Sequence, residues 1–165
     1  MRKRLFLAFK AKAQWPEIVG EKIIAEDQRH LTLVFWKEIE PDIVLKAFSD
    51  LKAKTHPNMF SGQFDKILQL PPRHPRVWAL HACLSDQEGF DEYFEEIKKF
   101  LSYKKLFTEI RKQKFLPHVS FARSKDVVVD KIVLPLPFIL SHLQLYESLG
   151  NSTYGVLDSI ALQSS

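Results

Sequence analysis

The stretch Arg29-His30-Leu31-Thr32-Leu33-Val34-Phe35 has a counterpart far down the chain, Pro117-His118-Val119-Ser120-Phe121-Ala122. Each reads as a short strand with a histidine near its start and a hydroxyl residue two positions later. Side chains of a strand alternate between its faces, so His30 and Thr32 share one face while Leu31 and Leu33 turn into a core. In the same way His118 and Ser120 share a face, with Val119 and Phe121 opposite. Two imidazoles with matched hydroxyls, an offset of 88 residues between 30 and 118, are expected to be two halves of one site.

The chain around these strands supplies further elements. Leu5 to Phe9 suits a buried strand. Pro41 to Leu51 carries Val44, Leu45, Phe48 and Leu51 at helical spacing, with Pro41 and Asp42 suited to a first turn. Phe60 to Leu70, the turn Pro71 to Pro75 and Val77 to Leu84 form a hairpin. Ser85 with Glu88 has the form of a capping box, opening a helix to about Tyr103 whose stripe is Phe90, Tyr93, Phe94, Ile97, Phe100 and Leu101. Lys125 to Val133 is apolar only briefly, and Phe138 to Leu149 pairs with Tyr154 to Leu162 across a turn at 150–153. The order is repeated: histidine strand, intervening segment, hairpin. Phe64 to Leu70 echoes Ile139 to Leu145. Helices interleaved with hairpins predict α+β lobes with antiparallel sheets rather than a doubly wound parallel sheet.

The 165 residues, 45% hydrophobic, are enough for one domain or two small lobes sharing an interface. A single cysteine, Cys83, excludes an internal disulfide and a cysteine-pair zinc motif, and a reducing cytoplasm is the simplest setting. The basic start Met1 to Arg4 imitates a signal peptide, but the apolar run after it is shorter than such a segment needs, and no stretch is long enough to suggest a membrane span. A net charge of +4 and a pI near 9.1 permit a nucleic-acid ligand without requiring one. The five glycines form no phosphate-binding loop, so nucleoside triphosphate and dinucleotide readings have no support.

Imidazoles with an ordinary pKa near 6.5 let one ring be neutral and another protonated at the same pH. Hydrolysis of a phosphodiester uses that pairing, since a base deprotonates the attacking water while an acid protonates the departing oxygen. The hydroxyls of Thr32 and Ser120 suit the non-bridging phosphate oxygens, and the scheme needs no metal. One His-x-Thr in a strand is a common pattern, usually without chemistry; two copies in matching contexts are far less so. The residues support two complementary roles and leave open which histidine has which.

His30-Leu31-Thr32-Leu33 and His118-Val119-Ser120-Phe121 resemble the two signature motifs of the two-histidine (2H) phosphoesterase superfamily. More narrowly, the chain is similar to the LigT-like RNA 2′,3′-cyclic phosphodiesterases, also called ThpR. The resemblance runs over nearly the whole chain, through Arg4 to Phe9, Pro75-Arg76-Val77-Trp78, Phe115 to His118 with Ala122-Arg123, Leu145 to Ser148, and the strand from Tyr154. It implies a single domain over 1–165 made of two interleaved, pseudo-symmetric lobes around a central cleft. It also implies opening of a 2′,3′-cyclic phosphate, at an RNA end or on a nucleotide, to a 2′-phosphate. His30 would protonate the leaving 3′ oxygen and His118 would activate water. Thr32 and Ser120 would hold the phosphate, Arg123 would add charge, and Phe35 would border the base. No cofactor, no membrane and a monomer are implied.

The second motif has serine where threonine is commoner, and Phe35 is followed by Trp36-Lys37 rather than the family's frequent Leu-Gly. Strict alternation places Phe35 and Arg123 away from the histidines and Trp36 on their side. The other histidines, His56, His74, His81 and His142, sit in no motif and read as packing or surface residues. The alternatives are a 2′-5′ RNA ligase or 2′-5′ oligonucleotide phosphodiesterase on the same fold, and an inactive RNA- or nucleotide-binding module.

Overall fold

The computed structural model describes residues 1–108 and 114–164. In chain order its elements are β1 (Lys3–Ala13), β2 (Val19–Gly20), a 3-10 turn (Glu26–Gln28), β3 (His30–Ile39), α1 (Pro41–Lys52), β4 (Phe60–Leu70), β5 (Val77–Leu84), α2 (Gln87–Tyr103), β6 (His118–Ala122), β7 (Val127–Val128), β8 (Leu136–Gly150) and β9 (Thr153–Ala161). The expected hairpin strands β4 and β5 have the bounds read from the sequence, while the first strand runs on through Lys10 and Lys12. Its alternation explains this: Leu5, Leu7, Phe9 and Ala11 are buried in the main core, and the lysines occupy the opposite face. The apolar run Val127 to Val129 contributes only two residues of strand, paired with β2. No described helix is long and apolar enough to cross a membrane.

Seven strands join in the order β1-β3-β6-β5-β4-β8-β9, and β1 also pairs with β8, so six of them close into a ring with β9 outside it. The class is α+β with antiparallel pairing, as expected, and the two lobes share one continuous sheet. Pro41 opens α1 at its first turn, and Val44, Ala47, Phe48 and Leu51 form its buried stripe. The cap of α2 is Asp86 rather than Ser85: its carboxylate accepts from the Gly89 amide at 2.9 Å. Ser85 is still tied to the sheet, donating its backbone N–H to the Ser61 carbonyl. The stripes of both helices join one core with Leu31, Val119, Leu80 and Phe9.

The ring has an internal two-fold that can be read from its registers. Leu31 pairs with Phe9 on one side and Val119 on the other; Val119 pairs with Leu80. Turning β3 onto β6 therefore turns β1 onto β5, an offset of 71 residues between 9 and 80. On the far side of the ring Gly62 pairs with Phe138, which turns β4 onto β8 with an offset of 76 between 62 and 138. One half is built from both ends of the chain and the other from its middle. The sequence echo of Phe64 with Ile139 is thus out by one residue, and Leu140 is the true counterpart. The expected equivalence of the two hairpins also changes, because the counterpart of β5 is β1 and β9 has none.

Irregularities obey the same two-fold. The register of β3 against β1 skips Leu33, and that of β6 against β5 skips Phe121, both bulges at the 88-residue offset. The register of β4 against β5 skips Asp65, and that of β8 against β1 skips Ser141, again at the 76-residue offset.

Candidate active site

The single described pair between β3 and β6, Leu31 with Val119, fixes what lies beside it. Moving one residue each way in an antiparallel pair sets His30 opposite Ser120 and Thr32 opposite His118. Leu31 and Val119 are fully buried on the core face, so the four polar side chains share the other face, half-buried. The two-fold passes between the buried pair and exchanges His30 with His118 and Thr32 with Ser120. The sequence expectation of two matched halves is met in the backbone register.

Both histidines are held alike. The Nδ1 of His30 lies 2.8 Å from the Gln28 carbonyl, and that of His118 lies 2.7 Å from the Leu116 carbonyl. A carbonyl only accepts, so each Nδ1 carries the proton and each Nε2 is the nitrogen left for chemistry.

Their surroundings differ. The His30 ring lies against Phe6 at 4.7 Å, Tyr154 at 4.8 Å and Tyr146 at 5.2 Å between centroids. Burial against these rings pushes His30 down to about 4; the Gln28 carbonyl works against this, while Arg123 and His118 add to it. Tyr146 donates to Gln144 at 2.6 Å, and burial raises its hydroxyl. Tyr154 is anchored by its backbone N–H, which donates to the Gln28 side chain at 2.8 Å. Sequence reasoning assigned no role to Phe6, Gln28 or Tyr146. Phe6 was open to discovery, since alternation with Ala8 and Lys10 puts it on the histidine face of the neighbouring strand.

A cavity of about 330 Å³ adjoins this cluster. Its lining includes His30, Thr32, Phe35, Arg123 and Arg4, together with the β8–β9 turn at Asn151 and Ser152. His118 and Ser120 stand beside it on β6 rather than in its lining. Phe35 and Arg123 therefore face the histidines, contrary to strict alternation. The cause is the bulges at Leu33 and Phe121, each of which inverts the alternation after it. Leu33 and Val34 are both buried, as are Phe121 and Ala122, and the residue that follows each pair, Phe35 or Arg123, is exposed on the cleft side. Phe35 and Arg123 are themselves two-fold mates at the 88-residue offset. Arg123 reaches across to donate to the Tyr154 hydroxyl at 3.2 Å.

The same inversion removes Trp36 from the site. It packs against the main core and its indole N–H donates to the Leu106 carbonyl at 2.7 Å. His81, expected to be a packing or surface residue, pairs directly with His118 in register, and its Nδ1 lies 2.6 Å from the Asp65 carboxylate. A larger cavity of about 500 Å³ lies at the start of α2, but the imidazole there, His56, has both nitrogens engaged, by the Tyr93 hydroxyl and the Leu51 carbonyl. Among the described residues no group of three or more His, Cys, Asp or Glu is arranged to hold a metal.

No protein-family model matches the chain, and no curated protein matches its sequence. Solved structures do. The crystal structure of E. coli LigT complexed with 3′-AMP matches with a TM-score of 0.66 and 22% identity, over 98% of this chain and 99% of that one. A crystal structure of a phosphoesterase matches at 0.68 and 20%, over 99% and 100%. TT0787 of Thermus thermophilus matches at 0.66 and 22%, over the full length of both. The chain has the fold of LigT and of the phosphoesterase it matches.

Proposed function

We propose that residues 1–165 form one two-lobed phosphoesterase domain that hydrolyses a 2′,3′-cyclic phosphate, at an RNA end or on a nucleotide, to a 2′-phosphomonoester. The observation that carries this reading is the two-fold quartet of His30, Thr32, His118 and Ser120, with both Nδ1 atoms tied to carbonyls and both Nε2 atoms left for proton transfer. One Nε2 takes a proton from water as its oxygen attacks phosphorus. The bond from phosphorus to the 3′ oxygen breaks, and that oxygen takes the proton of the other Nε2–H. The product is a 2′-phosphate with a free 3′ hydroxyl, and the proton count balances without a metal. Thr32 and Ser120 donate to the non-bridging oxygens. Each chain carries both histidines, so one copy suffices.

The resemblance gives His30 the acid role. Burial favours the neutral form of His30. An anionic phosphodiester beside the ring favours the imidazolium, so arrival of the substrate stabilises the proton that His30 must donate. The cavity beside Phe35 and the β8–β9 turn is the place for the nucleoside, and LigT, which has this fold, is seen with 3′-AMP.

The test is turnover of 2′,3′-cyclic AMP by purified protein in the presence of EDTA, with products resolved by phosphorus NMR. The expected product is the 2′-monophosphate; a protein that turns over no 2′,3′-cyclic nucleotide or cyclic-ended RNA sinks the reading. Phe35→Ala removes a stacking face of about 1–3 kcal/mol, so KM for the nucleotide should rise roughly tenfold or more while kcat changes less. Steady-state kinetics would show it, and an unchanged KM would remove Phe35 from the base site.

A further inference from the structure

The two-fold treats the histidines alike only as far as their carbonyls. Gln28 and Leu116, whose carbonyls take the two Nδ1–H groups, are mates at the 88-residue offset. Their side chains differ in kind. Leu116 is apolar and exposed, and can accept nothing. The Gln28 side chain is engaged, its Oε1 accepting the backbone N–H of Tyr154 at 2.8 Å. Tyr154 lies on β9, the strand with no counterpart among the described strands, directly after the turn that lines the cavity.

β9 pairs with β8 alone, so the N–H groups along its other edge take partners from outside the ladder. Gln28 supplies the one for Tyr154. Its own backbone is fixed as well, the N–H donating to the Ala25 carbonyl at 2.9 Å and the carbonyl holding His30. Tyr154 in turn sets its ring edge-on to His30 at 4.8 Å and takes the Arg123 guanidinium on its hydroxyl at 3.2 Å. Gln28 therefore meets His30 twice, directly at Nδ1 and through the ring that Tyr154 lays against it. Desolvation, to which that ring contributes, is the largest cause of the lowered His30 value. The other titratable or charged groups facing His30 are Tyr146 of β8, Arg123 and His118 of β6, and Lys10, next to it in register on β1. A neutral substitution at Gln28 changes none of these charges.

Resting on the hydrolase reading above, we propose that Gln28 is a positioning residue for His30. Its carboxamide ties β9 to the first histidine strand, and so aims the His30 Nε2 at the leaving oxygen and keeps water from the ring. His118 has no such tie, because Leu116 stands in the equivalent place. The tie is the means by which two symmetric imidazoles are given unequal tasks.

Two variants test this. Gln28→Met keeps the length of the side chain and removes the acceptor, whereas Gln28→Glu keeps the acceptor. In Gln28→Met, kcat for 2′,3′-cyclic AMP should fall about tenfold or more. KM, set in a cavity that Gln28 does not line, should change by less than about threefold. NMR should show the Tyr154 amide exchanging roughly tenfold faster or more, and the His30 ring titrating higher, toward the ordinary imidazole value, with His118 unmoved. Gln28→Glu should restore slow exchange, and kcat to within about threefold of the unaltered protein. A folded Gln28→Met with kcat and the His30 titration unchanged overturns the proposal. An equal change at His118 also overturns it, since that marks general loosening. A Tyr154 amide that exchanges freely in the unaltered protein overturns it without any variant. If the unaltered protein turns over no cyclic nucleotide, the hydrolase reading fails; a His30 titration that still moves alone in Gln28→Met keeps Gln28 as its positioning residue.

Discussion

Alanine at His30 and alanine at His118 should each lower kcat for a 2′,3′-cyclic nucleotide by about 10² to 10⁴, the usual worth of one positioned acid or base. Each change removes one Nε2 from a pair that works as a unit. The double variant should therefore lose little more than the worse single variant. The quartet sits on the cleft face, opposite the core residues Leu31 and Val119, so neither substitution opens a cavity in the main core. The unfolding curve of His118→Ala at neutral pH should remain close to that of the unaltered protein, whereas His30→Ala leaves space between Phe6, Tyr146 and Tyr154 and should unfold somewhat earlier. A single variant that keeps its activity within threefold while folded would remove that histidine from the mechanism.

Acid should destabilise the protein through His30. Its folded pKa of about 4 lies below the unfolded value of about 6.5, so between those values the unfolded chain binds more protons than the folded one. Stability is unaffected by this group above about pH 6.5, falls as pH drops through the window, and has lost the full contribution below about 4. The difference corresponds to at most roughly 3 kcal/mol, and the open side of the ring screens it toward about 1–2 kcal/mol. Denaturant unfolding from pH 7 to pH 4 would measure the slope. His30→Ala should flatten it, leaving the smaller share that His142 contributes in the same direction. If the slope is unchanged in the variant, the buried neutral state assigned to His30 is wrong. A bound 2′-phosphate should also raise the His30 titration, readable by NMR of the imidazole.

Much of the site was legible because it rests on local rules. Alternation placed His30 with Thr32 and His118 with Ser120, and the intervening Leu31 and Val119 could only point into a core. The same rule failed three residues later. Phe35 and Arg123 belong to the cleft and Trp36 does not, because an unpaired residue in each strand, Leu33 and Phe121, reverses the faces after it. The consecutive apolar residues Leu33-Val34 and Phe121-Ala122 were the available signal, since they break an alternating pattern, and both pairs are buried. The helices were found by their stripes, while the cap of α2 moved to Asp86, whose carboxylate takes the Gly89 amide.

The sequence by itself determined that two histidine strands exist, that each histidine shares a face with the hydroxyl two residues on, and that the fold is α+β with antiparallel pairing. Those follow from periodicity within a few residues of chain. Only the tertiary structure decided which strands are neighbours, and with it everything set by register. That includes the exchange of His30 with His118 about one axis, the aromatic wall that holds His30 neutral, and the place of His81 beside His118. It also includes the register that sets Lys10 between His30 and His142. Partners in a closed sheet are distant in sequence, and their pairing depends on how the whole ring closes around a shared core, which no local pattern encodes.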